Sequence, residues 1–257
     1  MKIVPLASGS SGNSYLIRQG DQSMLVDAGL TCKQLLLRFE RVNEDPQRLK
    51  GIIVSHAHSD HIKGVGVLSR KFNIPVHLNR GTWTAANSAL GKISEVQIFE
   101  TGKPFELGCF RIHPFSVPHD CAEPVGFRIS CGSARVGIAT DLGVPTTLVA
   151  NLLSDLQAVV LESNHDPDML MDGPYPWDLK QRVKSRLGHL SNHQSAQLLQ
   201  RIINDGLKVV ILAHMSETNN NAELALKTAR KSVPAFIEQC GRIVCALQDE
   251  VGPEIEL

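Results

Sequence analysis

The chain has 257 residues, with Lys plus Arg equal to Asp plus Glu at 26 each, so it can bury one large core and carries no net charge. Hydrophobic residues make up 42% and charged residues 20%, the balance of an ordinary globular enzyme. A protein that works mainly through a global basic field, such as a DNA coater, is excluded, although a local basic groove is not.

Three strands are expected first, over residues 2–6, 14–18 and 24–27, with the small polar run Ser8-Gly-Ser-Ser-Gly-Asn-Ser14 between the first two. Helical spacing follows over 30–42, then a short buried strand over 51–55, a helix over 62–72 and a strand over 75–78. The middle of the chain reads as strand over 95–100, 110–117, 125–130 and 134–140. Thereafter strands over 156–161, 208–212 and 242–247 alternate with helices over 178–186, 191–204 and 221–232. Such a pattern predicts an α/β protein, two sheets packed face to face with helices on their outer faces, in a single domain spanning 1–257. The N-terminal apolar run is too short for a signal peptide, and no stretch approaches the roughly 20 apolar residues that cross a bilayer. The six cysteines (Cys32, Cys109, Cys121, Cys131, Cys240 and Cys245) show no Cys-x-x-Cys pair and no zinc-finger spacing. They are expected as reduced, mostly buried thiols, and the protein is expected in the cytoplasm.

Chemistry concentrates in Ser55-His-Ala-His-Ser-Asp-His61, where four metal-ligating side chains fall within six residues. On an extended segment residues two apart point to one side, so His56 and His58 can share an ion. Asp60 and His61 then turn onto the following helix and can hold another. One ion needs three or four donors, so four in one segment plus distant partners imply two. Three further candidates each follow an apolar run: His119 after Phe115-Ser-Val-Pro, Asp141 after Gly137-Ile-Ala-Thr, and His214 after Val210-Ile-Leu-Ala. Alone, each reads as a surface or capping residue; their matching placement makes ligation the better reading.

This His-x-His-x-Asp-His run, followed by a lone His, a strand-ending Asp and a late Ala-His, resembles the metallo-β-lactamase fold superfamily over nearly the whole chain. The resemblance implies a four-layer αββα sandwich, two mixed β-sheets with the metals at one edge. It also implies that His56, His58 and His119 hold one ion, that Asp60, His61 and His214 hold the other, and that Asp141 bridges them. Asp27, in Asp27-Ala-Gly29, matches an early Asp that orients the ligand loop. Four longer segments are similar to the bacterial YycJ/WalJ-type nucleases of that superfamily: Ser8–Ser14, Leu161-Glu-Ser-Asn-His-Asp166, Gly173-Pro-Tyr-Pro-Trp-Asp-Leu-Lys-Gln-Arg182 and Gly188-His-Leu-Ser-Asn192. That similarity implies a nucleic acid substrate, DNA cut from its ends by a metal-bridging hydroxide. By resemblance to the ribonuclease Z branch, His189 is the expected general acid, oriented by Glu162, so that His189, Asp60 and Glu162 form the expected catalytic set.

An Asp at the bridging position gives an all-nitrogen-and-oxygen site that suits zinc or manganese, with iron also acceptable. Two such ions suit in-line phosphoryl displacement. The Ser8–Ser14 loop could offer N–H groups to a phosphate, though its composition favours an ordinary tight turn. Lys180, Arg182, Lys184 and Arg186 could guide a strand toward His189, though such a run is usually a solvated face. His77 and His113 read as packed or surface residues, His165 and His193 as neighbours of the site without a role, Cys121 as a neighbour of His119, and Trp83 and Trp177 as packing residues. The competing reading is a small-molecule hydrolase that opens a thioester, lactone or cyclic phosphodiester on the same ions; a vestigial, non-hydrolytic protein fits poorly with seven intact ligands. The missing signal peptide argues against a β-lactamase proper, and the missing Gly- and Pro-rich arm against mature ribonuclease Z. The interval from Asp141 to His214 leaves no room for the clamp domain of the larger processing nucleases.

Overall fold

The computed structural model describes residues 1–257. The first half supplies β1 (Lys2–Ala7), β2 (Ser14–Gln19), β3 (Gln22–Val26), β4 (Leu49–Ile53), β5 (Val76–Asn79) and β6 (Val96–Phe99), adjacent in that order. The second half supplies β7 (Phe105–Leu107), β8 (Phe110–Ser116), β9 (Val125–Cys131), β10 (Ala134–Ala139), β11 (Ala158–Glu162), β12 (Val209–Ala213) and β13 (Arg242–Cys245), again in order. A short β14 (Ile255–Glu256) returns to pair with β1, so each sheet has seven strands. Both sheets are mixed. The first is antiparallel through β1, β2 and β3 and parallel from β3 to β6. The second is antiparallel from β7 to β10 and parallel from β10 to β13.

Ten α-helices and a 3-10 turn (Pro46–Arg48) complete the fold: α1 (Cys32–Arg41), α2 (Ser59–Ile62), α3 (Val65–Phe72), α4 (Arg80–Leu90), α5 (Thr147–Leu152), α6 (Pro167–Asp172), α7 (Trp177–Val183), α8 (Asn192–Ile202), α9 (Ala222–Ser232) and α10 (Pro234–Glu238). The central strands are apolar on both faces and divide their side chains between two cores, as buried parallel strands must. Val160 and Ile211 face the other sheet, where they meet Ile17, Val26 and Ile53. Leu161 and Leu212 face outward onto Leu198 and Leu199 of α8 and Ala225 of α9. The first sheet's outer face packs Leu16, Leu25 and Ile52 against Leu35 and Phe39 of α1 and Leu68 of α3. Three apolar layers thus separate helix, sheet, sheet and helix, the αββα sandwich. No helix is long and apolar enough to cross a membrane.

The structure departs from the sequence reading in several places. The helix expected over 62–72 begins only at Val65, after the separate turn of α2 ends at Ile62, because Gly64 N–H donates to Ala28 O at 2.8 Å and Gly64 packs on the Leu30 carbonyl, where a Cβ would not fit. Helices α4, α5, α6 and α10 and strands β7 and β14 carry too little apolar periodicity to be foreseen. The cysteines form no disulfide, but none is fully buried: five are half-buried and Cys240 is exposed. Several sit at element ends, Cys32 opening α1, Cys131 closing β9 and Cys245 closing β13. Trp177 is not a packing residue, being 61% exposed at the start of α7; Trp83 packs against the first sheet's outer core.

Candidate metal centre

Parallel strands place their C-terminal ends along one edge, and the polar residues of interest lie just beyond them. Asp27 follows β3, Ser55 to His61 follow β4, Asp141 follows β10, Glu162 closes β11 and His214 follows β12. Asp27, Asp141 and His214 each adopt left-handed backbone, with φ of 58°, 55° and 54°. Such conformations cost a non-glycine residue on the order of 1–3 kcal/mol and cluster at functional sites. Gly29 is needed for close approach: a Cβ there would run into the Asp60 carbonyl and Asn13 N, and Asn13 N–H donates to that carbonyl at 2.7 Å.

The seven candidate ligands fall into two groups at this edge. One ring nitrogen each from His56, His58 and His119 lies within 4.8 Å of the others, as does one donor atom each from Asp60, His61, Asp141 and His214. Asp141 faces both groups, with Oδ1 3.7 Å from His119 Nε2 and Oδ2 3.1 Å from His61 Nε2. The latter approach lacks hydrogen-bond geometry; Asp141 Oδ2, His56 Nε2 and His214 Nε2 are buried without a hydrogen bond.

Most ligand rings are fixed by the nitrogen that faces away from this point. His61 Nδ1 contacts Asp27 Oδ2 at 2.8 Å, and the other Asp27 oxygen accepts from Ser55 N–H at 2.8 Å. His56 Nδ1 lies 3.0 Å from Ser55 Oγ, His119 Nδ1 3.1 Å from Gly188 O, and His214 Nδ1 2.9 Å from Glu162 Oε1. Outer partners of this kind set the tautomer and aim the inner nitrogen.

Charge makes the same point. Asp27, Asp60, Asp141 and Glu162 converge here, and only histidines stand within ion-pair distance of them. Burial opposes a proton on His61, yet Asp141, Asp27 and Asp60 outweigh it and push its pKa well above the ordinary value. Burial likewise opposes charge on His214, but Asp141, Asp60 and Glu162 raise it to about 10. For Asp141, burial would favour the neutral acid; His214 and His61 instead hold it well below the usual carboxylate range. The site therefore favours cations strongly, and buried carboxylates this numerous require them. Inward lone pairs, a carboxylate facing both groups and an all-nitrogen-and-oxygen donor set fit two divalent ions.

Glu162 and His189 stand beside this cluster. Glu162 is fully buried and its four acceptor positions are occupied: Oε1 by His189 Nδ1 at 2.8 Å and His214 Nδ1 at 2.9 Å, Oε2 by the N–H groups of Leu142 and Leu190 at 2.8 and 3.0 Å. Burial would raise its pKa, but His189 and His214 draw it down to about 2. The sequence reading linked Glu162 to His189 alone and missed its hold on His214. His189 lies between His119 and His214, 5.1 Å from each ring, and its Nε2 has no protein partner. It lines a cleft of about 330 Å3 together with His58, Asp60, His119, Asp141 and His214, within the size range of ligand sites, roughly 300–1,000 Å3.

Other residues settle into supporting or remote places. Most of the Ser8–Ser14 loop is a brace: Gly9 N–H donates to Asn13 Oδ1, Ser11 N–H to Gln248 Oε1 and Gly12 N–H to Gly9 O, while Ser10 is exposed on the cleft wall. From it, Asn13 Nδ2 reaches Asp60 Oδ2 at 3.2 Å, and Ser8 Oγ accepts from His214 N–H at 2.7 Å; neither contact was foreseen. His165 is buried, with its pKa lowered to about 4 by desolvation. His193 does not line the site; it points into a groove between α8 and α9. His77 stacks on Phe105 and His113 contacts Gly102 O, away from the edge. Burial pushes the Cys121 thiol up to about 12, and Cys121 stands outside both groups of candidate ligands.

Comparison with known proteins agrees with this fold. Exodeoxyribonuclease YycJ of Bacillus anthracis is 38% identical over 238 residues, covering 92% of this chain and 89% of that one. Exodeoxyribonuclease WalJ of Streptococcus pneumoniae is 39% identical over 227 residues, covering 87% and 84%. Among solved structures, the metallo-β-lactamase fold protein YhfI of Bacillus subtilis superposes with a TM-score of 0.75 at 19% identity, over 99% of each chain. The profile of the beta-lactamase superfamily domain matches residues 22–215. The chain accordingly belongs to the metallo-β-lactamase superfamily.

Proposed function

We propose that the protein is a two-metal phosphodiesterase that removes nucleotides from the ends of DNA in the cytoplasm. The observation that carries this reading is the His189–Glu162 pair set against two ligand groups joined by Asp141, in a chain 38–39% identical to two proteins named exodeoxyribonucleases. In this reading His56, His58 and His119 hold one ion and Asp60, His61 and His214 the other, with Asp141 shared. Zinc or manganese suits these donors best, and iron is acceptable. Such ions, when bound, supply Lewis-acid charge beside the phosphate and lower the pKa of the attacking water.

The protein's own groups do the rest. Asp27 and Glu162 keep the His61 and His214 rings aimed inward. Glu162 accepts the Nδ1–H of His189, which leaves His189 Nε2 facing the cleft. Protonated there, it donates to the leaving oxygen as the ester bond breaks.

The test is a panel of end-labelled single- and double-stranded DNA, RNA and bis-para-nitrophenyl phosphate with manganese or zinc. Stepwise release of mononucleotides from DNA is expected. His58→Ala and Asp60→Ala should abolish it without changing circular dichroism, and His189→Ala should lower kcat by about 10²–10⁴-fold. Turnover of the small diester with every polynucleotide left intact would instead establish a small-molecule hydrolase.

A further inference from the structure

The segment between β11 and α8 builds one wall of the cleft, to which it contributes Tyr175, Leu179, Arg182, Val183 and Gly188. At about 100° per residue, α7 separates its side chains onto two faces. Leu179, Arg182 and Val183 turn toward the cleft. Trp177, Lys180 and Lys184 turn away, where Lys180 Nζ donates to Met171 O at 2.7 Å and Lys184 Nζ sits 5.4 Å from the Trp177 ring centre. Of the basic run from Lys180 to Arg186, only Arg182 lines the cleft.

Arg182 is anchored there in one specific way. Its Nε donates to Asp120 Oδ2 at 2.6 Å, and Asp120 Oδ1 stands 3.5 Å from His119 Nε2 and 3.8 Å from His58 Nε2. One carboxylate thus fixes the guanidinium beside the first ligand group. Both Nη groups remain without a protein acceptor, and the side chain is 60% exposed. A guanidinium held at Nε with its amino groups free suits a phosphate oxygen geometrically and electrostatically. Tyr175, half-buried on the same wall, is the only aromatic residue other than histidine that lines the cleft.

We propose that Arg182 and Tyr175 form a subsite for the nucleotide adjoining the scissile bond. The Nη groups of Arg182 grip a non-bridging oxygen of the neighbouring phosphodiester, Asp120 sets the position of the guanidinium, and Tyr175 stacks on the base. The subsite rests on the phosphodiesterase reading and deepens it: it is a site for a chain of nucleotides, and a small diester has no second phosphate to place against Arg182.

The experiment compares full-length wild type, Arg182→Gln, Arg182→Lys, Tyr175→Ala and Tyr175→Phe, with manganese, on an end-labelled single-stranded oligodeoxynucleotide and on bis-para-nitrophenyl phosphate. For Arg182→Gln, KM for the oligonucleotide should rise about ten- to a hundredfold, the size of a lost charge-assisted contact. The ratio of kcat/KM on oligonucleotide to that on small diester should fall at least about tenfold. The slope of log KM against log salt should shrink by about one. Arg182→Lys should restore the slope but not the full KM, because a point charge replaces a fork. Tyr175→Phe should keep the oligonucleotide KM that Tyr175→Ala loses, since stacking needs the ring and not the hydroxyl. Equal losses on both substrates for Arg182→Gln, or an unchanged oligonucleotide KM and salt slope, would overturn the subsite while leaving the nuclease standing. Wild type that cleaves the small diester and no polynucleotide would overturn the nuclease reading, and the subsite with it.

Discussion

Glu162 accepts four N–H groups, two from imidazoles with different tasks and two from the backbone at Leu142 and Leu190. An amide in its place keeps the shape but loses the charge and turns one acceptor into a donor against an N–H. Glu162→Gln should therefore weaken the ion held by His214 by about 10–100-fold, as loss of an outer partner commonly does, and should also lower kcat. His189→Ala should lower kcat alone. Metal titration against a competing chelator, beside steady-state kinetics on bis-para-nitrophenyl phosphate, separates the two; equal metal affinity in Glu162→Gln and wild type would show that His214 does not depend on Glu162. The double variant should lose less than the sum of the two kcat effects, because in the proposed mechanism both act through one proton donor.

At the scale of elements, the turn from α7 to α8 ties the wall of the cleft to the first ligand group. Gly188 O contacts His119 Nδ1 at 3.1 Å, while a Cβ on Gly188 would collide with the carbonyl oxygens of Arg182 and Val183. Those obstacles are backbone atoms, so the turn itself must move. Gly188→Ala should cost about 1–3 kcal/mol and loosen the ion held by His119, visible as a lower Tm together with reduced metal content; a normal melt with full metal content would show that the turn yields without disturbing His119. The same elements show what could be read in advance. Strands β11 and β12 were legible because buried parallel strands need unbroken apolar runs, and His56 to His61 because neither a core nor a turn calls for four such donors. Helix α4 was not, since it buries only Thr82, Ala86 and Leu90 behind a surface of Thr, Asn and Ser. Nor was the contact from Glu162 to His214, which spans 52 residues of chain and depends on the parallel register that sets Glu162 opposite Ala213. Arg182 was visible only as one cation among four, because the sequence does not say which face of α7 meets the cleft.

Across the whole molecule, each ligand group draws on both sheets. His56 and His58 follow the first sheet while His119 follows the second; Asp60 and His61 belong to the first while Asp141 and His214 belong to the second. Ions bound there would rivet the sandwich across its interior seam. At a hundred times its dissociation constant an ion adds about 2.7 kcal/mol, and a fold of this size gains about 2–4 °C per kcal/mol. Stripping the ions with EDTA should therefore lower Tm by about 5–10 °C for each ion lost, with recovery on adding manganese or zinc; a Tm indifferent to chelator would mean that the edge holds no ion bridging the sheets. The left-handed turns at Asp27, Asp141 and His214 pull the opposite way. Glycine would occupy the bends at Asp141 and His214 without strain, whereas at Asp27 it would leave the buried Ser55 N–H without its acceptor. With Asp141 Oδ2 and His214 Nε2 buried and unpaired, those two residues answer to a demand that folding does not make, and the apo-protein is the less stable for meeting it.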